Sequence, residues 1–274
     1  QMCIRDRYKI DLRKRGGTVL LALDVGNTNI VIGILDGDKL IKSGRISTDI
    51  YKTEDEYAMN MYSFLRLNHA LDIDGAIISS VVPALVRTLV KAVKTVCDVD
   101  ALVVGPGIKT GLSIKIDDPA QLGADLVVGA VAAKEKYPQP TIIFDMGTAT
   151  TGFVLDRDAN FIGGIITTGL KTSINALTAG AALLPQIDIS APKKVIGTNS
   201  IECMKSGCII GTACMLDGLI DKFEEELGEK ATVIVTGGLG QAIAEQCSHD
   251  MIIDKNLLID GLKIIYNKNI DTRR

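Results

Sequence analysis

The chain has 274 residues, 47% of them hydrophobic and 23% charged, enough to bury a core and too apolar for whole-chain disorder. With 30 Lys and Arg against 33 Asp and Glu the net charge is −3, which gives no global attraction for nucleic acid or an anionic membrane. No uninterrupted apolar run approaches the roughly 18 residues of a membrane span, so a soluble, cytoplasmic chain is expected.

Residues 1–17 stand apart: six basic side chains against two acidic ones, with no apolar segment of the secretory kind. This stretch reads as a disordered tail or as sequence upstream of the native start. Regular patterning begins at Thr18. The run Val19–Leu23 reads as a strand ending in Asp24, and Ile30–Leu35 with Lys39–Ile46 reads as a hairpin turning at Asp36-Gly37-Asp38. Thr53 and Glu56 have capping-box spacing for a helix to about Asn68. Gly75–Val82 reads as a buried strand, Pro83–Val96 as a helix and Ala101–Val104 as a strand. Pro119–Tyr137 reads as one helix, Thr141–Asp145 as a strand, and Thr151–Leu155 with Phe161–Ile166 as a second hairpin. Helices are expected at Leu170–Leu177, Ser200–Leu227, Gly240–Cys247 and Leu257–Lys268, with strands at Thr232–Thr236 and Met251–Ile253. Strands alternating with helices, in a chain of only 4% aromatics and 27 glycines, indicate an α/β fold with β-branched strands under helices.

An internal echo organises this string. Ala22-Leu23-Asp24-Val25-Gly26 and Ile143-Phe144-Asp145-Met146-Gly147 are both apolar strands ending in Asp-x-Gly, and each is followed by a hairpin. The repeat suggests a duplicated domain, with one half over 18–137 and the other over 138–274.

The motifs carry chemistry in more than one reading. In Asp24-Val25-Gly26-Asn27-Thr28-Asn29 the glycine permits a tight turn whose amides and polar side chains cradle phosphate, with Asp24 holding Mg²⁺; the same residues also make a plain β-turn. A second strand-end carboxylate at Asp145 favours a clamp with a cleft between the two halves. Gly237-Gly238 admits a flat purine against the backbone, or is a tight strand-to-helix turn. Asp125, near a helix start, is either a cap stabilised by the macrodipole or a general base. Six cysteines lie in apolar contexts without a CxxC pair and read as buried free thiols; with only His69 and His249 present, acid–base work falls to Asp, Glu or Lys.

Taken together, Asp24–Thr28, Ser79-Ser80-Val81-Val82-Pro83, Gly105-Pro106-Gly107-Ile108-Lys109-Thr110-Gly111, Gly123-Ala124-Asp125, Asp145–Thr151 and Thr236-Gly237-Gly238, in that order, resemble the type III pantothenate kinases. These belong to the actin/hexokinase-like group, so the resemblance implies two ribonuclease-H-like halves. It also implies ATP-dependent phosphorylation of pantothenate, the first step to coenzyme A. It assigns Asp24, Val25, Gly26, Asn27, Thr28, Asn29, Ile30 and Val31 to the ATP phosphates and Mg²⁺, with Thr148, Gly237 and Gly238 also on ATP. Gly123, Ala124, Asp125 and Leu126 line the pantothenate pocket, with Asp125 as proton acceptor. Asp145 holds K⁺ or NH₄⁺, and Ser200 touches pantothenate from the partner of a homodimer. Two alternatives are a non-catalytic accessory relative and a kinase for another small hydroxy acid. Several positions depart from the pattern. Leu126 stands where the family commonly has Arg, removing a contact worth about 1.5–3 kcal/mol to an anionic substrate. Thr168 stands where Pro is frequent, an Arg is common near Gly180 and an aromatic near Ile116; Lys115 or Lys171 is a candidate for replacement charge.

Overall fold

The computed structural model describes residues 18–270; the basic segment 1–17 lies outside them. The chain forms two compact units that interleave along the sequence. The first takes residues up to 110, then 122–128 and 258 onward; the second takes 111–121 and 129–257.

The first unit is built on a five-stranded sheet of order β3-β2-β1-β4-β5. The central strand β1 (Val19–Val25) is buried along its whole length. It pairs antiparallel with β2 (Asn29–Asp36), which turns at Gly37 (φ 55°) into antiparallel β3 (Lys39–Ser47). On its other side β1 pairs parallel with β4 (Gly75–Ser80), which is followed by parallel β5 (Ala101–Val103). Alternation sends Leu21, Leu23 and Val25 into a core beneath α1 (Glu54–Leu67) and α2 (Pro83–Cys97). The capping box at α1 is present: Thr53 Oγ1 accepts from Glu56 N and the Glu56 carboxylate accepts from Thr53 N at 2.8 Å. Those bonds hold the Glu56 carboxyl below its usual range. Tyr57, Met61 and Leu65 then fall on one buried stripe, as helical periodicity requires. The opposite face of the sheet is met by α8 (Leu257–Ile270), where Ile259 packs on Gly33 and Tyr266 on Gly75.

The second unit repeats this order. Its sheet runs β11-β10-β7-β8-β9-β6, and β9-β8-β7-β10-β11 matches β3-β2-β1-β4-β5 in both order and direction. The strands are β7 (Thr141–Met146), β8 (Ala149–Leu155), β9 (Asn160–Thr168), β10 (Thr232–Thr236) and β11 (Ile252–Ile253). Its core joins Phe144 and Val235 to Ile174 of α4 (Leu170–Gly180), Leu216 and Ile220 of α6 (Gly211–Leu227), and Ile243 of α7 (Gly240–Ala244).

Three local differences from the sequence reading have physical causes. The helix expected over Pro119–Tyr137 is a 3₁₀ turn (Pro119–Gln121), a break at Leu122-Gly123, and α3 (Ala124–Lys136). Asp118 closes the short turn by accepting from Ala120 N and Gln121 Nε2, so the chain starts a second time at Gly123. The long helix Ser200–Leu227 contains a π-turn (Ser206–Ile210) between α5 (Ser200–Lys205) and α6. By length and composition this helix could cross a membrane, but its Met204, Ile209, Ala213, Leu216 and Ile220 are buried within the unit. The two-residue strand β6 (Ser113–Ile114), parallel to β9, was too short to show periodicity. Among the described cysteines all five are free, and Cys203 and Cys214 are exposed rather than buried.

Gly261 of α8 lies against the backbone carbonyl of Val128 in α3, with no room for a Cβ. Gly261→Ala should therefore lower stability by about 1–3 kcal/mol, read as a reduced urea midpoint.

Candidate active site

In the first unit, β1 carries Asp24 toward its C-terminal end, where the residue is 8% exposed. Gly26 N donates to Asn29 O at 3.0 Å and closes a turn that leaves Asn27, Thr28 and Asn29 exposed. The first residue after β3 buttresses this turn: Thr48 Oγ1 donates to Gly26 O at 2.7 Å and Thr48 N donates to Thr28 O at 3.0 Å. A Cβ on Gly26 would lie 3.2 Å from Asn29 O. Within the stretch 24–31, the Val25 and Ile30 side chains point into the core, so only their backbones are available to a ligand. Val31 is half-buried and pairs with Asp24 across the hairpin.

Asp125 belongs to the same unit. It is the second residue of α3, half-buried, and its Oδ1 accepts from Leu126 N at 2.8 Å. Burial pushes its carboxyl up; the backbone donors of Leu126 and of Asp125 itself pull against that and lose. Gly123 makes room for the carboxylate, since a Cβ there would meet Asp125 Oδ1 at 2.5 Å and Val81 Cγ1 at 3.9 Å. Val81 N in turn donates to Val25 O, which ties this corner to the end of β1. Ala124 and Leu126 are half-buried beside it.

The second unit builds the matching turn. Asp145 sits at the end of β7, half-buried, in register with Thr151 and Thr236. Gly147 N donates to Ala149 O at 3.0 Å. Again the first residue after the third strand supplies the buttress: Gly169 N donates to Thr148 O at 3.1 Å, and Thr172 Oγ1 donates to the same oxygen at 2.8 Å. Gly237 (φ 89°) lies on the Met146 backbone, where a Cβ would meet N, C and O at 2.6–2.7 Å. Asp145, Thr148, Gly169 and Gly237 thus gather at one end of this sheet, with Gly238 next in chain. Ser200 is elsewhere in the unit, exposed at the start of α5 behind the Asn199 cap, on an open groove of about 740 Å³ with Leu177, Cys203 and Met204. Of the lysines considered as replacement charge, Lys115 lies 3.9 Å from Asp156 and Lys171 is exposed on α4.

The family model described as type III pantothenate kinase matches residues 20–222. The chain belongs to that family. A type III pantothenate kinase from Exiguobacterium sibiricum is 45% identical over 254 residues, covering 92% of this chain and 100% of the relative. Among solved structures, a Baf family protein from Campylobacter jejuni superposes with TM-score 0.59 at 19% identity, covering 92% of this chain and 99% of its own. MreB 5 of Spiroplasma citri, bound to AMPPNP, gives 0.55 at 12%, covering 94% and 99%. At those identities the structural matches speak for the fold alone, an actin-like α/β one. As a type III pantothenate kinase the chain is an ATP-dependent kinase of coenzyme A biosynthesis.

Two site features escaped sequence reasoning. Thr48 is distant in sequence from the turn it holds and has no motif of its own. Ser79, in register with Asp24, carries no signal of its own within the run Ser79–Pro83.

Any side chain at position 237 must shift the β7 end or distort a backbone that L-residues rarely adopt. Gly237→Ala is expected to destabilise the second unit by about 1–3 kcal/mol and to weaken binding of a fluorescent ATP analogue.

Proposed function

We propose that the chain transfers the γ-phosphoryl group of MgATP to the terminal hydroxyl of pantothenate, giving ADP and 4′-phosphopantothenate, with Asp125 as general base. The observation that carries the residue-level reading is Asp125 itself: a half-buried carboxylate, raised by desolvation, in the same unit as the Asp24 turn. Phosphoryl transfer asks little covalent work of a protein; it asks for positioning and charge neutralisation. Asp125 takes the proton of the attacking hydroxyl, and its raised pKa makes it a better acceptor than an exposed aspartate.

The turn over 24–31 holds the phosphates with backbone groups and with Asn27, Thr28 and Asn29. Asp24 offers hard carboxylate oxygens, the donor type Mg²⁺ requires. When bound with ATP, Mg²⁺ neutralises charge on the phosphate oxygens. Thr148 contacts the nucleotide and Gly237-Gly238 gives the base a flat approach. Asp145, with threonine hydroxyls at Thr148 and Thr151, is an all-oxygen donor set suited to K⁺ or NH₄⁺. Gly123–Leu126 line the pantothenate pocket. Leu126 has no charge to offer the substrate carboxylate, which favours weak pantothenate affinity and makes a second hydroxy acid the reading to test alongside. Ser200 serves the site of a partner in a homodimer. The setting is cytoplasmic, with neither nucleic acid nor membrane as partner.

A coupled ADP-release assay with pantothenate, ATP, Mg²⁺ and K⁺, run beside a panel of hydroxy acids, tests this reading; no turnover of pantothenate by the folded protein overturns it. Asp125→Asn should lower kcat by about 10²–10⁴-fold. Its effect on stability has the opposite sign. A carboxyl whose folded pKa is raised contributes stability below its unfolded pKa and loses it as pH rises through the folded one. At pH 7 the ionised Asp125 therefore carries its desolvation penalty, and Asn, which keeps an acceptor for Leu126 N, does not. The variant should melt at or above wild type at pH 7, and the wild-type kcat/KM profile should show an acid limb above the ordinary aspartate range.

A further inference from the structure

Ser79 is the penultimate residue of β4, and its hydroxyl is fully buried without a hydrogen-bond partner. A buried orphan hydroxyl costs about 1–3 kcal/mol, so native structures rarely keep one without a reason. Its neighbour Ser80 shows the usual solution: that hydroxyl donates to Val82 O at 3.1 Å and accepts from Val82 N at 3.0 Å.

Ser79 pairs in parallel register with Asp24. Residues in register on adjacent strands point to the same face, and the strands lie about 4.8 Å apart. The face is identified by its neighbours. Leu23, Val25 and Ile78 are in the core under α1 and α2, so Asp24 and Ser79 point away from it. At that spacing a serine hydroxyl and an aspartate carboxylate on the same face are near enough for a change of rotamer to bring them into hydrogen-bond reach.

We infer that Ser79 is a positioning residue for Asp24: its hydroxyl donates to the Asp24 carboxylate when that carboxylate engages MgATP, fixing the oxygen that faces the metal. This rests on the reading that Asp24 holds the metal–nucleotide. The buried hydroxyl then has an explanation, because a donor beside the Asp24 carboxylate serves metal–nucleotide binding, which a methyl group in the same space would not.

The test is binding of ATP to the full chain by isothermal titration, with and without Mg²⁺, for wild type, Ser79→Ala, Asp24→Asn and the double variant. A lost hydrogen bond to a charged group predicts that Ser79→Ala raises the Kd for MgATP by at least about tenfold. Metal-free ATP binding and the pantothenate KM should hold, and the melting temperature should stay at or above wild type. On the Asp24→Asn background the same change should add little. An unaltered Kd for MgATP, a loss that comes with a lowered melting temperature, or an equal loss on the Asp24→Asn background would each overturn the inference. Failure of wild type to phosphorylate pantothenate while it still binds MgATP would instead count against the proposed substrate.

Discussion

The structure depends on one constraint, a central strand that is buried on both faces and yet ends in a carboxylate. β1 has no exposed position along its length, and β7 is nearly as enclosed. A carboxylate at the end of such a strand has lost much of its water, and the turn beyond must leave the sheet within a few residues. Both units meet this in the same way. A glycine amide closes the turn onto a carbonyl two or three residues ahead, and the first residue after the third strand donates its N–H to the turn from the side. Thr48 and Gly169 are that residue in the two units. The turn is thereby anchored by main-chain bonds, and Asn27, Thr28, Asn29 and Thr148 are exposed at the rims of the two turns.

This architecture suits an acidic protein that handles anions. The chain carries net charge −3, and several of its basic side chains in the described residues pair with local carboxylates, as Lys91 does with Glu54 and Lys136 with Asp254. Long-range attraction for a nucleotide is therefore absent, and binding must be local and directional. Turns that present backbone donors and hydroxyls, as the Asp-x-Gly turns do, can supply that without a basic surface. The same logic explains why two histidines, neither near the Asp-x-Gly turns in sequence, are no handicap to the chemistry.

Much of this was legible because the decisive features are local. The Asp-x-Gly echo, the Thr53–Glu56 box and the Gly37 turn are short patterns whose physics is complete within a few residues. The features that were not legible depend on distant partners. Thr48 reads as an unremarkable strand-end threonine until the Gly26 carbonyl is beside it. Gly123 reads as a glycine inside an apolar helix; only Asp118, by closing the preceding turn, makes it a break and lets Asp125 sit in a first turn. α8, last in sequence, packs against the sheet that the chain builds first, through Ile259 on Gly33 and Tyr266 on Gly75. No window of sequence contains that pairing, so a division into consecutive halves could not foresee it.

The return of α8 matters for function as well as for packing. It closes the face of the first sheet toward which Asp24 and Ser79 point, and through Gly261 it seats α3 at Val128, one turn beyond Asp125. On the proposed reading of Asp125 as base and of the turn after Asp24 as phosphate site, a packed helix registers the two to each other, in addition to the strands and helices between residues 31 and 123. A proton acceptor is useful only when held within hydrogen-bond reach of the hydroxyl it serves, and small displacements are expensive in rate. A helix contact with no room for one methyl group is a stiff way to hold such a distance. It also means that the stability of this distant corner and the basicity of Asp125 are coupled, because loosening α3 would let water reach the carboxylate and remove the desolvation that raises it.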